Sequence, residues 1–214
     1  MQIELYADIA CPWCYIGERR LRLALEQRPD LQVQFRWRPF QLQPGLPPQG
    51  VPWREFAERK FGGPDRVEAA FARLNESAAP EGLTFSPDAI ATAANTRDAH
   101  RLVLLAAEEG KGWAMADALF AAYFVAGRDL NDHDQLVEIA AQAGLDPETA
   151  RSVLASDWYL EEVEASQQLA AEYGIQGVPF TIFEERYALP GAQPLEVFLE
   201  AIDAAPAAVA AAQD

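Results

Sequence analysis

Apolar and polar residues alternate at the start of the chain, with Ile3, Leu5 and Ala7 set against Glu4, Tyr6 and Asp8. That period of two predicts a strand with one well-buried face. From Pro12 the spacing changes. Ile16, Leu21, Leu23 and Leu25 recur along a segment that must stop before Pro29, which predicts a helix. Alternation returns at Leu31, Val33, Phe35 and Trp37, giving a second strand, and the stretch between the two is long enough for a parallel crossover. Pro39 to Pro52 contains Pro44, Gly45, Pro47, Pro48 and Gly50 and cannot hold a regular element for long.

From Trp53 to about Tyr173 the periodicity is helical. Ser86-Pro87 and Asp146-Pro147 read as N-cap plus first-position pairs, and Asp132 with Gln135 as a capping box. Gly110, Gly127, Gly144 and Gly174 stand where helices should end. These signals imply about five to seven helices of ordinary length, with Leu102, Leu105, Trp113, Leu119, Phe120, Tyr123 and Phe124 filling the middle of the block. After Gly174 the pattern reverts. Val178 to Phe183 predicts a strand, Glu184-Glu185 a turn, Tyr187 to Leu189 a partner strand, and Pro194 to Ile202 a closing helix. Ala204 to Asp214 is Ala-rich without a stripe and predicts a frayed tail. The fold class is therefore α/β, a thioredoxin-like fold with a large all-helical insertion between its βαβ and ββα halves. The predicted division is 1–40 with 160–204 as the discontinuous thioredoxin-like domain, 50–159 as the insertion and 205–214 as a flexible tail.

Composition narrows the chemistry. Seventeen Lys and Arg against 33 Asp and Glu leave a net charge of -16. That charge repels phosphate backbones and anionic lipid, so nucleic acid and membrane are not expected partners. Arg19, Arg20 and Arg22 form the densest basic group and read as the wet face of a helix. The N-terminus has no basic region ahead of its apolar residues, and Glu4 and Asp8 interrupt them, so no signal peptide is expected and the cytoplasm is the default location.

Cys11 and Cys14 are the only cysteines, and they bracket Pro12-Trp13 at the junction of a strand and a helix. Two residues of spacing there read as a dithiol/disulfide redox site. On a helix their Cβ atoms lie about 5 to 6 Å apart, whereas a disulfide wants about 3.8 Å. The loop it closes is very short, so it stabilises little and exchanges readily. Cys11 is expected at the exposed end, its sulfur aimed at the free N–H groups of the first turn, an environment that favours the nucleophilic thiolate. Cys14, one turn in, is expected to be buried and to resolve the mixed disulfide. A buried free pair or half a zinc site is the plainer reading, but zinc would need two more ligands. Only His100 and His133 are on offer, at no recognisable spacing.

The chain resembles the DsbA-like thioredoxin superfamily, in particular its FrnE-like branch, which is related to 2-hydroxychromene-2-carboxylate isomerases and kappa-class glutathione transferases. The resemblance rests on an ordered series of matching pieces. They are Asp8 with Cys11 to Gly17, Trp37 to Phe40, Asn95-Thr96 with Ala99 to Leu102, Leu119 to Phe124, Gly174 to Phe180, and Gly191 to Pro194. It implies that Val178-Pro179 is the cis-proline bond that packs beside the dithiol and offers backbone polar groups to an extended substrate. It also implies that Asn95, Thr96 and His100 face the cysteines and help bind substrate or glutathione. The residues alone allow Asn95 or Thr96 to be a helix cap and His100 a partly buried histidine. Trp13 either stacks on a substrate or shields the helix start. Gly191-Ala192-Gln193 reads as a turn and cap more readily than as a carboxylate site.

Departures from the relatives limit what carries over. Leu5 stands where thioredoxin and DsbA proteins place a buried carboxylate, and Asp8 either caps the turn or disfavours a thiolate at Cys11 by its charge. The isomerase and transferase relatives use serine where this chain has Cys11. The histidine between the cysteines of DsbA is Trp13 here, which removes a cationic stabiliser and predicts a potential less oxidising than that of DsbA, within about -270 to -120 mV. The expected activity is thiol-disulfide exchange on protein, peptide or small-thiol substrates, with glutathione admitted as a co-substrate, no other cofactor, and a monomer or homodimer. A glutathione-dependent isomerase or transferase, or a non-catalytic redox sensor or binding module, are the alternatives.

Overall fold

A computed structural model of the chain describes residues 1–210. Strand β1 (Gln2–Ala7) runs into helix α1 (Pro12–Glu26), which returns to β2 (Gln34–Pro39). β1 and β2 pair in parallel, Gln2 opposite Gln34 through Ala7 opposite Pro39. The second strand therefore begins three residues later than the alternation from Leu31 predicts. Its ladder can start only where β1 starts, and Leu31 and Val33 pack as loop residues against the lower core.

The chain re-enters the sheet at β5 (Phe180–Phe183), antiparallel to β1, followed by β6 (Tyr187–Pro190) and helix α9 (Leu195–Ala210). The strand order β2-β1-β5-β6 makes β1 a central strand. Both of its faces are covered, where the alternation predicted only one. Ile3 meets Leu21, Phe198 and Ile202 of α1 and α9, while Tyr6 on the opposite face meets Ala170 of α8 (Leu160–Glu172) and Ile182. Glu4, also buried, is held by Arg38, whose Nε donates at 3.0 Å. The closing helix runs on past Ala204, where a frayed tail was predicted. Ala205 is buried against the sheet, helix continues to Ala210, and the rest of the predicted tail lies outside the described residues.

Between the halves come α2 (Trp53–Phe61), α3 (Pro64–Ala78), α4 (Arg97–Glu108), α5 (Gly112–Phe124), α6 (His133–Gln142), α7 (Pro147–Leu154) and α8. A two-residue strand, β3 (Val51–Pro52), pairs with β4 (Thr92–Ala93) across the Pro-rich stretch. Asp146 caps α7 through Thr149 N–H at 2.8 Å. Asp132 caps α6, with Gln135 returning a hydrogen bond to its carboxylate at 3.1 Å. Ser86-Pro87 opens only a single 3-10 turn, Pro87–Ala89. Trp113, at the start of α5, packs away from the middle of the helical block predicted for it and stacks on Phe35, ring centroids 3.7 Å apart.

The basic trio on α1 is the other departure. Arg20 is buried, not wet: its Nε donates to Glu81 at 2.7 Å, and its other nitrogens reach the Ser77 and Ala192 carbonyls. Arg19 and Arg22 lie beside Asp117 of α5. α1 is sandwiched between α9, α5 and the end of α3, so it has no broad solvent face on which to spread them. The βαβ and ββα halves thus meet in one sheet with the helical block inserted between them, as the resemblance implies.

Candidate functional site

Cys11 is the N-cap of α1, with extended backbone (φ -104°, ψ 110°) and Pro12 at the first helical position. Both cysteines are unbridged. Cys11 is only 5% exposed and Cys14 not at all, so the contrast between an exposed attacker and a buried resolver is smaller than predicted; the exposed member of the motif is Trp13, at 40%. Nor does the Cys11 thiol turn towards the helix N–H groups. It makes no side-chain cap and instead donates to the Val178 carbonyl at 3.6 Å. A thiol is a donor, and Pro12 removes one of the N–H groups that a sulfur could accept from.

The Val178-Pro179 peptide bond is cis. Its loop is pinned from behind. Gly191 N–H donates to the Pro179 carbonyl at 2.8 Å, and a Cβ built on Gly17 would come within 2.8 Å of Pro179 Cγ. A glycine inside a helix costs about 1 kcal/mol relative to alanine, and here it admits the proline ring against α1. Gly191-Ala192-Gln193 is a turn, as read from the sequence, with Gln193 N–H bonded to the Gly191 carbonyl.

Behind the dithiol sits Asp8, buried at the end of β1. Its Oδ1 accepts from Ala10 N–H at 3.2 Å and its Oδ2 from Leu42 N–H at 2.7 Å, while its own N–H donates to Cys14 Sγ at 3.4 Å. Burial pushes the Cys14 thiol well up; contact with Cys11 adds to that, the Asp8 N–H opposes it and the Asp8 charge reinforces it. A proton leaving Cys14 therefore leaves into a site already holding a carboxylate. His100, without exposed surface, places Nε2 3.5 Å from Asp8 Oδ1. Its Nδ1 accepts from Trp37 Nε1 at 3.2 Å. An indole N–H can only donate, so the imidazole proton sits on Nε2, which lies beside the carboxylate but among the described residues makes no hydrogen bond.

The three insertion residues stand behind this site and do not line the cavity in front of it. Asn95 ties the preceding loop, donating to the Leu46 carbonyl at 2.7 Å and accepting from Gln41 and from Arg97 N–H. Thr96 is buried, and its carbonyl takes His100 N–H. Asp8 lies between His100 and the Cys14 sulfur. The role of Asp8 as a fully buried anchor was not legible in the sequence, because the residues that bury it come from β2, α4 and the loop at Leu42. Gly17 did carry a signal, an isolated glycine inside a helical pattern.

In front of the dithiol, Cys11, Trp13 and Val178 open on a cavity of about 320 Å³ whose far wall is formed by α2, α3 and α5. Among the described residues no group of three or more His, Cys, Asp or Glu side chains could hold a metal ion. No described helix is long and apolar enough to cross a membrane.

A family model for a DSBA-like thioredoxin domain matches residues 2–203. The chain is 39% identical to a solved structure of a probable DsbA oxidoreductase from Streptomyces coelicolor, with a TM-score of 0.87 over 96% of this chain and 89% of that one. It is 26% identical to the uncharacterized protein YwbO of Bacillus subtilis over 94% of this chain and 96% of the relative. A structure of the cytosolic disulfide reductase DsbM from Pseudomonas aeruginosa with GSH shares the fold at 24% identity, with a TM-score of 0.65 over 94% of this chain and 98% of that one.

Proposed function

The chain belongs to the family of DSBA-like thioredoxin domains, and from that premise we propose that it is a thiol-disulfide oxidoreductase working through Cys11 and Cys14. The observation that carries the reading is the junction of three parts. The dithiol at the start of α1, the Val178 carbonyl 3.6 Å from Cys11 Sγ, and a cavity onto which both residues open lie together.

In the reductive direction the Cys11 thiolate attacks one sulfur of a substrate disulfide. The substrate S–S bond breaks, one substrate thiolate leaves, and a mixed disulfide forms on Cys11. Cys14 then gives up its proton and attacks Cys11 Sγ, releasing the second substrate thiolate and leaving a Cys11–Cys14 disulfide. Two electrons pass to the substrate, and the two thiol protons end on the released thiols. The second step needs an acceptor for a proton held tightly by burial. Asp8 is assigned that role, its carboxylate held by the Ala10 and Leu42 N–H groups, with His100 beside it and Trp37 fixing the imidazole. Val178 and Pro179 align the substrate chain, and Trp13 covers the entrance. Protein or peptide disulfides are the expected substrates. Glutathione is a co-substrate to be tested, because the Pseudomonas neighbour is described with GSH.

Insulin reduction is the direct test. The wild-type chain is expected to precipitate insulin chains with a thiol reductant present, and Cys11→Ala to lose the activity. Cys14→Ala should accumulate mixed disulfide. Asp8→Asn should keep the first thiol release and slow the second. Insulin reduction and disulfide isomerisation both silent in the wild type would overturn the reading in favour of a sensor or binding module.

A further inference from the structure

The mechanism uses one end of the cavity and leaves the other unexplained. Its far wall is aromatic and aliphatic: Trp53, Phe56 and Phe61 from α2, Phe71 and Leu74 from α3, and Phe124 from α5. At about 320 Å³ it falls at the small end of ligand sites, which span about 300 to 1,000 Å³. Asp8 is the one carboxylate on the lining, and its oxygens are taken by the Ala10 and Leu42 N–H groups.

Beside the cavity lies a second hollow of about 340 Å³, lined by Gln43, Phe56, Arg59 and Lys60. Gln43, Phe56 and Lys60 line both spaces, so the hollow is a shelf continuous with the cavity. Its charge runs against that of the molecule. In a chain of net charge -16 the shelf presents two cations. On α2 the ion pairs fall on Arg54 and Glu58, and none among the described residues takes up Arg59 or Lys60. Lys60 Nζ stands 5.7 Å from the Phe56 ring centroid. Basic residues in the last turn of α2 do complement the helix dipole. That accounts for their charge, not for the apolar chamber between them and a reactive thiol.

We propose that cavity and shelf form a subsite for a low-molecular-mass disulfide with an aryl-sized apolar body and an anionic group, the body in the cavity, the anion on Arg59 and Lys60, and the S–S bond at Cys11. The inference rests on the oxidoreductase reading and names its substrate class. Apolar walls reward burial of an aromatic ring in proportion to area, and a cation pair at the rim holds a carboxylate by charge-assisted hydrogen bonds. Glutathione disulfide fits less well, since its peptide groups and several charges would lose water against aromatic walls without partners. The exchange balances as above: two thiols of the reduced protein become one disulfide, and the aryl disulfide becomes two aryl thiols.

The test is single-turnover oxidation of the reduced full-length chain by three probes: dithiobis(nitrobenzoate), which is aryl and anionic; dithiodipyridine, which is aryl and neutral; and bis(hydroxyethyl) disulfide, which is small and neutral. Intrinsic reactivities differ, so ratios between wild type and variant are read. Arg59→Gln with Lys60→Gln should lower the ratio of the anionic to the neutral aryl rate about tenfold, the loss of two charge contacts that solvent screens at the open rim. Lys111→Gln with Arg151→Gln removes the same charge far from the shelf and should leave that ratio unchanged. Ala70→Leu and Ala70→Trp progressively fill the cavity and should lower both aryl rates relative to bis(hydroxyethyl) disulfide. Two residues of graded size keep this arm readable if the larger one does not fold. Equal falls for the two charge-pair variants would mean long-range steering and would overturn the subsite, as would flat ratios throughout. A phenylalanine-flanked peptide disulfide is run alongside the three, and an Ala70 effect seen with it but not with the aryl probes would replace the subsite with a peptide side-chain pocket. Failure of all three probes to react at Cys11 in the wild type would instead sink the oxidoreductase reading itself.

Discussion

Glu18 follows Cys14 by one turn of α1 and has no exposed surface. Among the described residues its two carboxylate oxygens find no hydrogen-bond partner. Burial pushes its carboxyl up to about 7, opposed by the nearby Arg22 and Arg19 charges and reinforced by that of Asp117. The folded chain therefore holds a proton on Glu18 across a range, from about 4.5 to about 7, in which the unfolded chain has released it. More protons bound in the folded state means stability falls as pH rises through that window. At about 1.4 kcal/mol for each pH unit, the loss is on the order of 3 kcal/mol. Urea midpoints of wild type and Glu18→Gln, compared at about pH 4.5 and about pH 8, should show the wild type losing ground to the variant at the higher pH. A difference that stays constant with pH would mean that Glu18 is ionised throughout. At this scale the sequence was legible where placement follows from spacing, as at Cys11 and Cys14, which stand at the start of α1 as expected. It was opaque where an environment is assembled from distant segments, as at Glu18, Asp8 and His100, each an ordinary polar residue until its neighbours are known.

α1 carries Cys11 and Cys14 at its start, and Arg20 ties the helix to its neighbours. That side chain links the helix to Glu81 in the 3-10 turn after α3 and to the Ala192 carbonyl ahead of α9. Both partners of the ion pair are buried, with side-chain exposures of 8% and 6%. Removing one charge strands the other, so Arg20→Met should cost about 3 to 5 kcal/mol in urea unfolding, whereas Arg20→Met with Glu81→Leu should recover most of it. A single variant as stable as the wild type would show that Glu81 is solvated after all. The element pattern hides this contact. Three arginines in four positions resemble a solvated stripe, and only the packing of α9 and α3 against α1 shows that Arg20 points inward. The strands and most helices were legible because period and caps are local. β3 and β4 were not, since two-residue strands leave no period to detect, and the second buried face of β1 depends on α8, over 150 residues away in sequence.

At the scale of the whole molecule, the sheet and the insertion share one core. Leu5, Tyr15, Ile16 and Trp37 of the strand-helix-strand segment belong to the same buried cluster as Phe71, Leu102, Phe120 and Val153 of the insertion. Phe120 is the hinge of that contact. Its ring stacks on Tyr15 at 4.9 Å between centroids and meets Trp37 edge-on at 6.2 Å. Tyr15 directly follows Cys14, so the insertion braces the dithiol helix as well as walling the cavity. A core shared in this way should melt as a unit, because neither part retains its own buried surface once the other is lost. Tryptophan fluorescence and far-ultraviolet circular dichroism should therefore report the same urea midpoint. Phe120→Ala, which opens a cavity at the junction, should lower stability by about 3 to 5 kcal/mol and move both probes together. Two separated transitions, with only one shifted by the substitution, would show instead that the insertion folds by itself and that its cavity can form without the dithiol.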